Sequence, residues 1–167
     1  PNPGHDFFVD LHRAGRLLGV ITQNVDGLHE KSGLPAERIV NLHGNTLDTV
    51  CLSCSYRVQS DEVFASLDLD AGAPTCPQCG GLLKPDTISF GQQLDTDRLE
   101  TAFEWAHECD CMVVFGSTLI VQPAAGIPEI AARSGAALLI VTLSDTPLDG
   151  AADLTVRRPI GEFVAEV

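Results

Sequence analysis

Val20-Ile21-Thr22-Gln23-Asn24-Val25-Asp26-Gly27 sets three apolar or β-branched residues directly before a polar run that closes on glycine. β-Branched and apolar side chains suit a buried strand, whereas Gln, Asn, Asp and Gly suit a loop. The stretch reads as a strand whose C-terminal end opens into a polar loop. The same pattern recurs along the chain. Residues 39–42 form a strand-like run ending at His43-Gly44, and Cys111-Met112-Val113-Val114-Phe115 forms another ending at Gly116-Ser117-Thr118. Residues 137–141 and 154–156 supply further strands.

Helical spacing fills the intervals. Phe7, Phe8, Leu11 and Ala14 share a face, and Gly15 can stop that helix. A short helix over 28–32 closes on Gly33. Asp95 or Thr96 can cap a helix that turns Leu99, Ala102, Phe103 and Ala106 to one side. Pro123 suits the first turn of a helix with Ala124, Ile127, Ile130 and Ala131 inward, and Phe163 and Val164 belong to a terminal helix. Near-continuous apolar strands alternating with helices predict an α/β fold, a doubly wound, Rossmann-like parallel sheet covered on both faces. Such sheets bind ligands past the carboxyl ends of their strands. The loops at Gln23, His43 and Gly116 are therefore expected to gather over one edge.

The chain has 167 residues, 44% hydrophobic and 20% charged, which suits one globular domain with a small insert. Its longest apolar stretch, 136–142, is far too short for a membrane span. The formal net charge of −13 argues against a nucleic-acid groove or an anionic membrane as partner. It serves solubility, and it is also compatible with a cationic partner such as a lysine-rich tail. The chain begins Pro1-Asn2-Pro3 without a charged-then-apolar leader, which reads as an interior start with no secretory signal.

Cys51-Leu52-Ser53-Cys54 and Cys76-Pro77-Gln78-Cys79 are two C-x-x-C turns separated by residues 55–75. Each turn brings two thiolates to one side, and two turns make a closed tetrahedral shell suited to structural zinc. A thioredoxin-like redox pair is the competing reading; the doubled turn and the missing βαβ context disfavour it. A nucleic-acid-binding ribbon is disfavoured because Arg57 and Lys84 are the only nearby cations. Metal rather than disulfides places the chain in a reducing, cytoplasmic compartment. The expected division is a zinc module over 51–81, with 1–50 and 82–167 forming the α/β domain. Cys109 and Cys111 read as small buried apolar residues. His5, His12, His29 and His107 read as surface or structural residues.

Ile21-Thr22-Gln23-Asn24-Val25-Asp26-Gly27-Leu28-His29, then His43-Gly44, then the paired cysteine turns resemble the sirtuin family in order and spacing. Lys84-Pro85-Asp86-Thr87-Ile88-Ser89-Phe90-Gly91 resembles the family's substrate-binding segment, and residues 116–123 its second cofactor loop. The likeness runs from about Phe8 to Phe163. It implies an NAD-dependent protein-lysine deacylase with one structural zinc. The acyl-lysine protein or peptide enters a cleft, its amide oxygen attacks C1′ of the nicotinamide ribose, nicotinamide leaves, and the acyl group ends on ADP-ribose.

The resemblance implies His43 as general base, a role an imidazole can fill near neutral pH. It implies Gln23, Asn24 and Asp26 as contacts to ribose and nicotinamide; turn chemistry alone would also explain the last two. Gly116, Ser117 and Thr118 are implied as phosphate or ribose contacts. Thr142 stands where an asparagine often meets the adenosine ribose. Ile88, Ser89, Phe90 and Gly91 are implied to pair with an extended peptide by β-augmentation; a plain core strand is the other reading. The sequence departs from the pattern in three further respects. Ser117-Thr118 inverts a usual Thr-Ser, Gln92 replaces a usual glutamate, and the glycine-rich phosphate loop is not among these residues. Two other functions stay open on these residues, a mono-ADP-ribosyltransferase using the same pocket and a catalytically dead, zinc-stabilised module that docks lysine-rich peptides.

Overall fold

The computed structural model describes residues 1–68, 70, 72–89 and 91–167. Helix α1 (Pro3–Arg13) starts on a reciprocal cap: Asn2 accepts from the Gly4 and His5 amides, and the His5 ring faces back to it. It leads to β1 (Val20–Thr22), α2 (Leu28–Ser32) and β2 (Ile39–Asn41). β1 and β2 are parallel, with Val20 opposite Ile39 and Thr22 opposite Asn41.

Three further strands follow: β3 (Gly44–Cys51), β4 (Arg57–Gln59), which runs into α3 (Ser60–Ala65), and β5 (Leu83–Thr87). They form an antiparallel sheet in the order β4-β3-β5. The chain then alternates again: α4 (Thr96–Glu108), β6 (Cys111–Phe115), α5 (Gly126–Arg133), β7 (Ala137–Val141), β8 (Leu154–Val156) and α6 (Ile160–Val164). β6, β7 and β8 are parallel in that order. The expected parallel sheet is present in two hydrogen-bonded pieces, β1–β2 and β6–β7–β8.

Alternation along these strands explains the helices on both faces. Side chains of successive strand residues point to opposite sides. Ile21 and Val40 join Ala102 and Ala106 of α4 and Ile127 and Ala131 of α5. Val20 and Ile39 turn the other way, onto Val9 and Phe8 of α1. In β6, Met112 and Val114 pack toward Leu119 and Ala125. Phe115 faces Phe7 and Phe8 of α1 and Phe163 of α6, with ring centroids 5.3–6.0 Å apart. The turn over 121–125 ties the two pieces together, because Ala124 belongs to the core with Val40 and Leu42, and Ala125 to the core with Val114 and Ile140. Each fully buried aliphatic side chain in these clusters, such as Leu42 at 1% or Leu138 at 0% exposure, contributes about 1.5–3 kcal/mol of hydrophobic transfer free energy.

Three local expectations are corrected. Pro123 lies in the turn ahead of α5, which begins only at Gly126. Cys111 is exposed at the start of β6, and Cys109 is half-buried. The antiparallel unit has regular structure on both sides of its cysteines, from Gly44 to Thr87, where cysteine spacing alone had suggested little.

Candidate active site and four-thiol cluster

β1 and β2 end side by side, so the loops that follow them are neighbours. The Leu42 amide continues the pairing by donating to the Thr22 carbonyl at 3.0 Å. One residue on, His43 Nδ1 lies 3.1 Å from the Gln23 carbonyl oxygen. A carbonyl can only accept, so Nδ1 carries the proton and Nε2 is left with a free lone pair. That is the tautomer a general base requires. The ring is half-buried, on a backbone anchored by Leu42 in the core.

The Gln23–Asp26 loop is fixed from several sides. The Asn24 amide donates to Thr22 Oγ1 at 3.0 Å. Asp26 Oδ1 accepts from the Leu28 amide at 3.0 Å and so holds the start of α2. The turn-chemistry reading is therefore realised for one oxygen of Asp26. The Thr46 amide and hydroxyl both donate to the Val25 carbonyl, at 2.8 and 2.9 Å. The Asn24 side chain is exposed and, among the described residues, makes no hydrogen bond within the chain. It is free to meet a ligand.

Gly44 makes the turn after His43 possible. Its φ of +75° lies in the left-handed region, and a Cβ would collide with the Asp86 carbonyl oxygen. Backbone cannot move aside as a flexible side chain can. Gly44→Ala is expected to destabilise the fold by about 2 kcal/mol or more, read as a lowered denaturant midpoint. An unchanged midpoint would contradict this packing.

The second loop cluster lies at the ends of β6 and β7. Phe115 pairs with Val141, so Gly116 and Thr142 leave the sheet next to each other, and the Gly116 amide donates to the Val141 carbonyl. Gly116 has φ +64°. Ser117 Oγ accepts from the Leu119 amide at 3.2 Å, which leaves its hydroxyl proton available. Thr118 is exposed, and Thr142 is 5% exposed with its amide bonded to the Val156 carbonyl.

The segment after β5 differs from the expectation of a strand. β5 stops at Thr87, one residue before Ile88. The Ile88 amide donates to the His43 carbonyl at 2.8 Å, and the Ser89 amide to Gln92 Oε1 at 3.2 Å. Both donors are thus engaged internally, and Gln92 folds over Ser89 as a turn. Phe90 lies outside the described residues, and Gly91 has φ +83°. His29, read as structural, is buried against His5 and Phe8, with ring centroids 4.8 and 5.8 Å away. Burial, then the neighbouring His5, holds its pKa below the usual value.

Cys51, Cys54, Cys76 and Cys79 bring their sulfurs within 4.8 Å of one another. The fold makes this happen by pairing β3 with β5, so that the turn after Cys51 meets the turn before Leu83. The Ser53 amide donates to Cys51 Sγ, and the Gly81 amide to Cys79 Sγ, at 3.3 and 3.4 Å. Such amide–sulfur bonds favour thiolate. The Ser53 amide is the main reason Cys51 is drawn down to about 7, against the effect of burial. Cys54 is pushed up to about 12: the Tyr56 amide lowers it, but burial and the other sulfurs outweigh that. Four sulfurs this close cannot all ionise without a cation between them. The donor set, its geometry and its charge fit a tetrahedral zinc.

Sequence reasoning missed the ion pairs around Asp86. Arg57 Nη2 and Arg98 Nη2 both approach Asp86 Oδ2, at 2.8 and 3.5 Å, and Arg57 Nη1 also donates to Asp48. Nothing in their spacing announces these pairs, since the partners lie 12 to 29 residues apart.

Residues 1–123 match the Sir2 family. The chain is 43% identical to NAD-dependent protein deacetylase 1 of Bradyrhizobium diazoefficiens over 97% of its own length and 63% of that protein's. It is 38% identical to an NAD-dependent protein deacylase of Thermococcus kodakarensis, over 100% of its length and 65% of the relative's. It therefore spans a little under two thirds of these relatives. A solved structure of a Sir2 protein bound to a propionylated peptide superposes with a TM-score of 0.93 at 35% identity, covering 100% of this chain and 69% of that one. A Sir2–peptide–NAD+ complex gives the same TM-score and identity, with 100% and 68% covered. With residues 1–123 inside the family's bounds and the whole chain superposable on its solved members, this chain belongs to the Sir2 family.

Proposed function

We propose that the protein carrying these residues removes acyl groups, acetyl foremost, from lysines of proteins or peptides, with NAD as cosubstrate, giving nicotinamide and O-acyl-ADP-ribose. The observation that carries this reading is the His43 Nδ1 bond to the Gln23 carbonyl. It leaves the Nε2 lone pair free beside a loop whose Asn24 side-chain amide is uncommitted. The names of the relatives, deacetylases and deacylases, support it.

When bound, NAD supplies an electrophilic ribose carbon and a nicotinamide leaving group. The chain's own contributions are binding and proton transfer. Asn24 and the free oxygen of Asp26 would hold the ribose and carboxamide, with Gln23 alongside. Gly116, Ser117 and Thr118 would meet the phosphate and adenosine side, Gly116 by close backbone approach and Ser117 by its free hydroxyl proton. Thr142 would border that side from beneath. His43 Nε2 would accept the proton of a ribose hydroxyl, and the imidazolium so formed keeps its bond to the Gln23 carbonyl. Residues 88–91 would hold the peptide beside His43, to whose carbonyl Ile88 is bonded. Since the Ile88 and Ser89 amides are engaged, peptide pairing there would rest on the Ile88 carbonyl and on Gly91.

Residues 51–81 form a zinc module in this reading, beside an α/β domain of 1–50 and 82–167. A glycine-rich phosphate loop elsewhere in the longer protein would complete the NAD site. A cytoplasmic location accords with four of the six cysteines being gathered as metal ligands. No helix among the described residues is long and apolar enough to cross a membrane.

Mass analysis of the products tests the reaction. Incubation of the full-length protein with NAD and an acetyl-lysine peptide should transfer the acetyl group to ADP-ribose and leave free lysine. ADP-ribose found on protein with the peptide still acetylated would instead establish the transferase reading. Peptide bound without any turnover would establish the binding module.

A further inference from the structure

Two arginines from different layers of the fold converge on one carboxylate. Arg57 stands on β4, in the unit that holds the four thiols, and Arg98 stands in the first turn of α4. Both reach Asp86 Oδ2. The Asp86 side chain is 18% exposed, less than Arg57 at 49% or Arg98 at 30%. The carboxylate is the enclosed member of the group, where charge-assisted bonds are strongest and loss of the charge is felt most.

Asp86 and its partner Arg98 together touch both flanks of His43. On one side, Arg98 Nη1 donates to the Asn41 carbonyl at 3.2 Å, and Asn41 Nδ2 in turn donates to Glu30 of α2 at 2.7 Å. On the other, the Asp86 carbonyl oxygen is packed against Gly44, where only a glycine fits. Two residues further on, Ile88 donates to the His43 carbonyl. Asp86 also lies at the irregularity of the β3–β5 ladder, between Pro85, which pairs with Thr49, and Thr87, which pairs with Gly44. Its side chain adds the two arginine contacts at that point.

We propose that Asp86, clamped by Arg98 and Arg57, is a positioning residue that fixes Ile88 and Ser89, the start of the peptide-holding segment, relative to His43. This rests on the deacylase reading. With the clamp in place Ile88 and Ser89 are ordered before substrate arrives. Without it, an acyl-peptide must order these residues on binding, which raises its KM. Once bound, the peptide's own contacts restore the alignment, so kcat changes less. The Gln23–Asp26 loop is held by Thr46 and Thr22 rather than by Asp86, so the KM for NAD stays.

The test uses the full-length, zinc-loaded protein with Asp86→Asn, Arg98→Gln and the double variant. Asp86→Asn should raise the acyl-peptide KM roughly tenfold, the scale of a modest misplacement, with NAD KM unchanged and zinc retained. Arg98→Gln, which leaves the thiol unit untouched, should show the same split. The double variant should be no worse than Asp86→Asn alone, because both changes break one clamp. An unchanged peptide KM, a parallel rise for NAD, or additive losses would overturn the proposal. Amide hydrogen exchange at Ile88 tests the clamp without turnover. It should quicken in both single variants, and unchanged exchange would refute the clamp even if the wild-type protein released no nicotinamide, the result that would instead reject the deacylase reading.

Discussion

Alanine in place of His43 is expected to slow nicotinamide release by about 10²- to 10⁴-fold at saturating NAD and acyl-peptide, the range a positioned general base supplies. The geometry makes this a chemical loss rather than a folding one. The imidazole contributes one hydrogen bond, to the Gln23 carbonyl, and the residue that anchors this corner in the core is the preceding Leu42. Zinc content and thermal midpoint should stay close to wild type. His43→Gln is a useful companion, since its amide can still donate to Gln23 but has no basic nitrogen. It should be as slow as alanine. A glutamine variant near wild-type rate would reduce His43 to a structural role.

Loss of one thiol should have the largest effect on stability. Cys76 is 3% exposed and Cys51 8%, so each is both a ligand and part of the small interior of its unit. Structural zinc supplies on the order of 10–16 kcal/mol in small zinc-finger peptides, more than any one side chain buried here. In Cys76→Ala, bound zinc should fall from one per chain toward none, and the β4-β3-β5 sheet should lose protection from hydrogen exchange. Because β3 begins at Gly44 and β5 runs into Ile88, nicotinamide release should fall with it. Metal analysis of Cys76→Ala alongside the wild-type protein decides the point. Full metal occupancy in the variant, or none in the wild type, would contradict the assignment.

The alternating α/β part was legible because its signal is local. β1, β2, β6, β7 and β8 are apolar runs bounded by polar turns, and α4 is capped by Asp95 with Ala102 and Ala106 inward as spacing predicts. The loops were legible for the same reason, since each follows a strand. β3, β4 and α3 were not. Burial along β3 is irregular, and buried Thr49 and Ser60 satisfy each other through hydroxyls 2.9 Å apart, so no apolar alternation marks them. Sulfur rather than apolar area holds that unit. The segment 88–91 resembled a strand, but the bonds that end it come from the distant His43 carbonyl and from Gln92. The Asp86 cluster joins residues from three elements, which only the folded chain brings together.

Nicotinamide release from NAD by the full-length protein, measured with and without an acetyl-lysine peptide, tests the central claim most directly. Release that depends on the acylated peptide is the expected result. Release at the same rate without it, or none under either condition, would contradict the assignment of His43 and the Gln23–Asp26 loop to NAD-dependent deacylation.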